Sequence, residues 1–399
     1  MKWLRRLGVL ALLFVLLGFG GYLLARPAMG HDPSGADLER ISKSPQYKGE
    51  RFDNELPRVD GPYWDMTTEW LAGGSEYRLP GAPLKIERRT KADFATPPAS
   101  GMRVTWLGHS TLILEIDGRR ILIDPVWGPR ASPLTFIGPE RWYDPPLPIE
   151  ELPANDAILI SHDHYDHLDY PTVQLLADLD TKWLVPLGIG SHLQGWGVKR
   201  ERIVELDWWG AQKIGDLEIT CAPARHFSGR GFTPNATLWS GWAVAGPKHR
   251  VFYSGDTAMH PEFVEIGERL GPFDLAMMEV GAYDAMWSDV HLGPEQAVRA
   301  TRLVRADTLL PVHWGLFDLA LHGWTEPIER VRVAGDREGV RVVSPQPGGQ
   351  VEPTRTSTPT AKWWPDVPWE SFEDAPCPST SVDDLNGEKF APGTWPRPT

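Results

Sequence analysis

His162-Asp163-His164-Tyr165-Asp166-His167 sets three imidazoles and two carboxylates into six consecutive residues, directly after the apolar run Ile158-Leu159-Ile160-Ser161. Imidazole nitrogen and carboxylate oxygen are ligands that zinc accepts. Positions two apart in an extended segment project to the same side, so His162 and His164 can share one ion. A turn toward a helix then lets Asp166 and His167 face a second ion close by. These four side chains cannot close two zinc sites, so the remaining ligands must come from other strand ends. His226 follows Cys221-Ala222-Pro223-Ala224-Arg225, Asp256 lies in Ser254-Gly255-Asp256-Thr257, and His313 lies in Pro311-Val312-His313-Trp314-Gly315. Each is unremarkable alone, and a solitary Gly-Asp ordinarily marks a turn.

The elements that must position these residues are short. Val104 to Leu107, Leu112 to Ile116, Arg120 to Ile123 and Ala157 to Ile160 are β-branched or apolar runs bounded by turn residues, and they read as strands. Asp117-Gly118 between two of them is a hairpin turn. Strand-like runs continue at Lys182 to Val185, Leu217 to Ala222, Trp239 to Val244, Val251 to Tyr253, Leu275 to Glu279 and Leu309 to Val312. Helical stretches alternate with them at Thr172 to Leu179, Pro261 to Leu270 and Gly293 to Val304, the last opened by Pro294 at a first-turn position. Strands first and strand-helix alternation later predict two packed sheets with helices outside.

The His-x-His-x-Asp-His pattern, followed by a strand-end His, a Gly-Asp and a later His, resembles the metallo-β-lactamase superfamily over roughly residues 50 to 345. Thr105-Trp106-Leu107-Gly108-His109-Ser110-Thr111, Ile123-Asp124-Pro125 and Pro311-Val312-His313-Trp314-Gly315 resemble its N-acylphosphatidylethanolamine-hydrolysing phospholipase D branch, and Arg51-Phe52-Asp53-Asn54 looks similar to that branch's N-terminal extension. The resemblance implies a four-layer αββα sandwich with a binuclear zinc centre at one edge of the sheets. Carried over, His162, His164 and His226 hold one Zn2+, Asp166, His167 and His313 the other, and Asp256 bridges them. An aspartate at position 256, where zinc β-lactamases of this pattern place a cysteine, makes penicillin-like substrates an unsuitable reading. Asp124 is expected to orient a ligand histidine, against the alternative of a turn aspartate before Pro125. His291 is expected to bind a phosphate oxygen or protonate the leaving group, against the alternative of a surface histidine at a helix entry. Asp166, besides binding metal, counts with Asp124 and His291 among the residues expected to take part in catalysis. His109 either faces the site or is a hydrogen-bonded structural histidine.

The activity so implied is metal-assisted hydrolysis of a membrane phospholipid, releasing phosphatidic acid and an N-acylethanolamine. The ligand pattern serves equally for a lactone, a thioester or a soluble phosphodiester, which is the alternative reading. A metal-binding scaffold without catalysis fits poorly, because none of the seven positions has been replaced.

Composition bounds the partners. Forty Lys and Arg against 53 Asp and Glu give a net charge of −13, so nothing draws this surface generally onto nucleic acid. Two cysteines cannot form a four-thiolate zinc site. Glycine and proline number 39 and 38, which predicts many turns and excludes a helical bundle. Lys2, Arg5 and Arg6 precede an uncharged apolar run from Leu7 to Ala25, close to the roughly 20 residues that span a bilayer. Residues 1–26 read as a membrane anchor, or as a signal segment cleaved near Ala28-Met29-Gly30. The flanking charges favour an N-in orientation with the remainder outside, periplasmic in a bacterium, or secreted after cleavage.

Residues 27–100 read as an extension packed on the domain, 101–345 as the hydrolase domain and 346–399 as a Pro/Trp-rich tail. Trp363, Trp364, Trp369 and Trp395 are expected to hold that tail on the domain surface. Trp127, Trp142, Trp208, Trp209, Trp287 and Trp314 fall in or near predicted loops and are candidates to line an acyl-chain groove, although for any one of them core packing is the favoured reading. The expected partners are a phospholipid substrate and the bilayer, and relatives of the resembled branch imply a homodimer.

Overall fold

The computed structural model describes residues 2–56, 58, 63–353, 361–377 and 379. Helix α1 (Lys2–Met29) is 28 residues long. Its Trp3–Met29 stretch is long and apolar enough to cross a membrane, with a mean hydropathy of 2.4 over an 18-residue window that buries none of its residues, while Ala25 and Ala28 near its end are buried. The extension that follows is more structured than its weak periodicity predicts. It holds α2 (Gly35–Ile41), a two-stranded ribbon of β1 (Tyr47–Lys48) and β2 (Arg51–Phe52), and α3 (Tyr63–Ala72). Ile41 and Phe52 are buried with Leu187, Leu238 and Trp239, and this small cluster fastens the extension to the domain.

The first sheet is built from β3 (Met102–Trp106), β4 (Leu112–Ile116), β5 (Arg119–Ile123), β6 (Ala157–Leu159), β7 (Lys182–Pro186) and β8 (Ile203–Leu206). Hairpins join β3, β4 and β5, while β5 through β8 run parallel. Helices α4 (Tyr170–Leu176) and α5 (Ile189–Gly195) provide the crossovers. The second sheet repeats this plan. Strands β9 (Ala211–Ile214), β10 (Leu217–Ala222), β11 (Gly241–Ala245) and β12 (Arg250–Tyr253) are antiparallel. Next come α6 (Glu262–Arg269), β13 (Leu275–Glu279), α7 (Pro294–Leu303), β14 (Thr308–Val312), α8 (Glu326–Glu338) and β15 (Arg341–Val342). Strands β12 through β15 run parallel.

A final strand, β16 (Gln350–Val351), returns to pair with β3, so the first sheet takes in residues beyond the boundary expected at 345. Past it, Trp364 is buried and Trp363 stacks near Trp106, Trp314 and Trp324. That packing holds the tail on the domain, while Trp395 lies outside the described residues.

The two sheets face each other across one continuous apolar core that includes Val104, Leu114, Ile123, Leu159, Ile219, Trp242, Phe252, Met277 and Leu310. Each such aliphatic side chain contributes about 1.5–3 kcal/mol by leaving water. Trp242 also links the sheets, since its Nε1–H donates to the Ile160 carbonyl at 3.0 Å. Beside it the Ser240 N–H donates to Ser161 O at 2.9 Å, and residues 239–240 leave the strand predicted there to make this bond. The end of β6, where the six-residue histidine segment begins, is thereby fixed from both sheets.

Helix α8 escapes sequence reading because Gly335 and its many charges disguise it. Gly335 is needed there because a Cβ would lie 2.6 Å from Val342 Cγ2.

Candidate metal centre

The parallel strands of both sheets end at the same edge, and their loops carry the candidate ligands. Asp124 follows β5, His162 follows β6, Asp256 follows β12, and His313 follows β14. The carboxyl ends of parallel strands are where α/β sheets present ligand-binding residues. Three non-glycine residues at this edge have left-handed backbone, His109 at φ 52°, Asp124 at φ 39° and His313 at φ 64°. Such strain persists only where the surroundings over-determine it. Gly255 is also required, since at φ 59° its Cβ would approach Ser240 O to 2.5 Å.

All seven expected ligands converge. His162 Nε2 lies 2.9 Å from His164 Nδ1, and His226 Nε2 lies 3.3 Å from it. On the other side, Asp166 Oδ2 is 3.4 Å from His167 Nε2 and 3.3 Å from His313 Nε2. Asp256 Oδ2 stands between the groups, 3.7 and 3.9 Å from the His162 and His226 nitrogens and 3.2 and 2.9 Å from those of His167 and His313. Three four-residue sets, His162/His164/His226/Asp256, His109/Asp166/His167/His313 and Asp256/Glu279/His291/His313, each bring their ligand atoms within 4.8 Å of one another.

Hydrogen bonds turn the ring nitrogens inward. His167 Nδ1 donates to Asp124 Oδ2 at 2.8 Å. The same carboxylate accepts from Ser161 N, Ser161 Oγ and Tyr253 Oη at 2.7, 2.5 and 2.5 Å. Ser161 Oγ, having spent its proton there, accepts from His162 Nδ1 at 2.9 Å. His226 Nδ1 donates to Val290 O at 2.8 Å. In each case the hydrogen bond occupies Nδ1 and turns Nε2 to the centre, the nitrogen that a metal takes once it is free of a proton.

These residues fit two cations. His167 Nε2 and Asp256 Oδ1 are buried without a hydrogen-bond partner among the described residues, which costs free energy unless another group engages them. Burial, and then the repulsion of neighbouring imidazoles, hold His162 and His226 well below the ordinary histidine pKa, hence neutral. For His167 and His313 burial acts in the same direction, but Asp256 with Asp166 overcomes it. His167 is held well above its usual value and His313 is raised to about 10. The carboxylates thus collect positive charge at the places where ions would supply it.

His291 stands beside this set. Its Nδ1 donates to Glu279 Oε2 at 2.8 Å and lies 4.0 Å from Asp256 Oδ2. It borders a cavity of about 930 Å³ together with Arg51, Asn54, Arg58, Met66 and Trp70. Glu279 and Asn54 were not anticipated as site residues. Glu279 ends β13 and also accepts the backbone N–H groups of Thr257 and Leu292. An acid closing an apolar strand was the available signal. Asn54 pairs through both side-chain groups with the backbone of His226, at 3.1 and 2.8 Å. His109 faces the site, with Nε2 at 2.9 Å from Asp166 Oδ2 and its ring 4.2 Å from that of His313. Of the six loop tryptophans, Trp287 alone borders the 930 Å³ cavity. Trp127 and Trp208 direct their indole N–H groups to Leu147 O and Trp239 O, Trp314 packs in the core, and Trp209 stacks under Arg269.

Comparison with known proteins agrees with this architecture. Residues 119–314 match the model of the Beta-lactamase superfamily domain. An isothiocyanate hydrolase from Delia radicum gut bacteria shares the fold, with a TM-score of 0.51 and 19% identity over 63% of this chain and 98% of that one. The chain is a metal-dependent hydrolase of the metallo-β-lactamase superfamily. Within it the chain belongs to the N-acylphosphatidylethanolamine phospholipase D-like branch. It is 37% identical to N-acyl-phosphatidylethanolamine-hydrolyzing phospholipase D 1 of Caenorhabditis elegans, over 68% of this chain and 80% of that protein. An uncharacterized protein of Mycobacterium tuberculosis is 43% identical over 84% of this chain and 91% of its own length.

Proposed function

We propose that the chain is a binuclear zinc phosphodiesterase that hydrolyses a membrane phospholipid of the N-acylphosphatidylethanolamine class. The observation that carries this reading is the convergence of four histidine nitrogens, from His162, His226, His167 and His313, on Asp256 Oδ2, with His164 and Asp166 completing the two groups. His162, His164 and His226 would hold one ion, Asp166, His167 and His313 the other, and Asp256 both. When bound, such a pair polarises a phosphoryl oxygen and lowers the pKa of a water molecule.

The remaining work falls to the chain itself. Asp124, Ser161 and Val290 keep the Nδ1 protons of His167, His162 and His226 away from the centre. Glu279 holds the His291 ring by Nδ1, which leaves Nε2 on the cavity side to donate a proton to the departing alkoxide. Arg51 and Arg58 border the same cavity and supply positive charge for an anionic headgroup. Met66, Trp70, Trp287 and Val290 give it an apolar wall suited to acyl chains. Helix α1 supports a bilayer location, and Lys2, Arg5 and Arg6 on its N-terminal flank favour the domain on the outer side.

The test is a panel of bilayer phospholipids, one water-soluble phosphodiester, a lactone and a thioester, offered to the detergent-solubilised, metal-loaded chain. Release of phosphatidic acid from N-acylphosphatidylethanolamine above all other lipids is the expected result. Cleavage of lactones or thioesters with no phosphodiester turnover would refute the reading.

A further inference from the structure

The histidine segment contains one acidic residue that no ligand scheme uses. Asp163, between His162 and His164, points away from the centre and is buried. Its carboxylate accepts from Gly229 N at 2.8 Å and Thr237 Oγ1 at 3.0 Å, and lies 3.4 Å from His192 Nε2. On its far side His192 Nδ1 accepts the backbone N–H of His31 at 2.9 Å. A line of hydrogen bonds therefore runs from just beyond α1 to the residue between two candidate ligands.

A second line runs parallel to it through Arg230, also buried. Its Nη1 donates to Asp163 O and Leu168 O, both at 2.6 Å, and so brackets residues 164–167. Its Nε and Nη2 donate to Ala28 O at 3.0 and 2.7 Å. The guanidinium lies over the rings of Tyr165 at 4.2 Å and Trp196 at 4.8 Å, and Trp196 Nε1 donates to Pro27 O at 2.8 Å. The last carbonyls of a helix lack intrahelical partners, and cationic donors suit them. Here the cap of α1 and the brace of the histidine segment are one side chain.

We propose that the root of α1, residues 27–31, is a working part of the metal-binding scaffold, with Arg230 and the His192–Asp163 pair as the joint. Arg230 is a positioning residue: it holds the His162–His167 loop in register and ties it to the apolar helix. Cleavage near Ala28-Met29-Gly30 would strip a buried guanidinium of the carbonyl that two of its nitrogens share, so residues 27–31 are retained in the mature chain. This rests on the reading of His162 and His164 as metal ligands.

The test uses the full chain in detergent, as wild type and as Arg230→Gln, Arg230→Lys and His192→Gln. Arg330→Gln is the control, since Arg330 is equally buried but pairs with Glu295 and Glu326. Chelator-driven metal loss and the melting temperature of the metal-free forms are both measured. Groups that orient ligands alter metal affinity by about 10- to 100-fold. Loss of one of the two ions should therefore quicken about tenfold or more in Arg230→Gln, less in Arg230→Lys, and also in His192→Gln, with Arg330→Gln matching wild type. If Arg230→Gln does not fold, His192→Gln decides.

Wild-type rates in both joint variants, or equal quickening in the control, would overturn the proposal. A wild type that binds no metal would instead defeat the underlying ligand reading. The mass of the chain isolated from its own membrane gives a separate readout: residues 27–31 should be present, and a mature start at or beyond residue 29 would overturn retention.

Discussion

Replacing Asp124 by asparagine changes one oxygen to an amide and leaves shape and volume nearly intact, so its effect isolates the hydrogen bonds. The carboxylate accepts from four donors, namely Ser161 N, Ser161 Oγ, Tyr253 Oη and His167 Nδ1. An asparagine oxygen can keep the bond to Ser161 N. Its NH2 group then meets two hydroxyls and an imidazole N–H. The hydroxyls can rotate to accept, but His167 can accept only by moving its proton from Nδ1 to Nε2, which blocks the nitrogen that faces Asp166 and Asp256. Restoring the binding tautomer costs free energy at that ion alone. Changes to such orienting partners weaken metal binding by about 10- to 100-fold, or roughly 1.4–2.7 kcal/mol. Metal-buffered titration of Asp124→Asn should show one site weakened by that factor and the other near wild type. Unchanged affinity at both sites, or equal weakening of both, would refute the orienting role.

Three further outcomes follow from the same geometry. His313, raised to about 10, and His167 must lose protons on binding metal. Metal uptake at pH 7.5 should therefore release protons and weaken on acidification, as calorimetry in buffers of different ionisation enthalpy would register. Because both groups are raised above the unfolded value of about 6.5, their contribution to metal-free stability is full below that pH and declines at higher pH, that of His313 as pH rises through about 10. His291→Ala should retain two metals yet lose about 100-fold or more in turnover of lipid, and much less with an activated nitrophenyl diester whose leaving group needs no proton; metal loss would make His291 a ligand. Deleting residues 1–26 should leave soluble, folded, metal-loaded protein, whereas deletion through residue 31 removes both lines to Asp163 and should quicken metal loss.

Much of the site was legible because its residues follow strand ends, where β-branched runs bounded by turn residues announce themselves. The hexapeptide after β6 and the Gly-Asp after β12 belong to that class. Glu279 was not, because it continues an apolar strand, and only the folded chain shows that three donors converge on it. Asn54 and Arg230 act across 172 and 202 residues of chain, on the backbone of His226 and Ala28. Contacts from side chain to backbone leave no pattern of residue types to read. Likewise α3 has no buried residue and so no core-facing stripe to detect, whereas Gly335 disguises α8 by packing on Val342. Most of the loop tryptophans follow the core-packing alternative, with Trp287 at the cavity. Their loops pass over the core, and the indoles turn inward to meet carbonyls there instead of opening into the cavity.

The central claim is a centre of two ions bridged by Asp256, and elemental analysis of the purified chain tests it most directly. The account predicts about two zinc-group ions per chain in wild type and a marked fall in Asp256→Ala, beyond that of any variant outside the seven ligands. Active protein carrying one ion or none would contradict it.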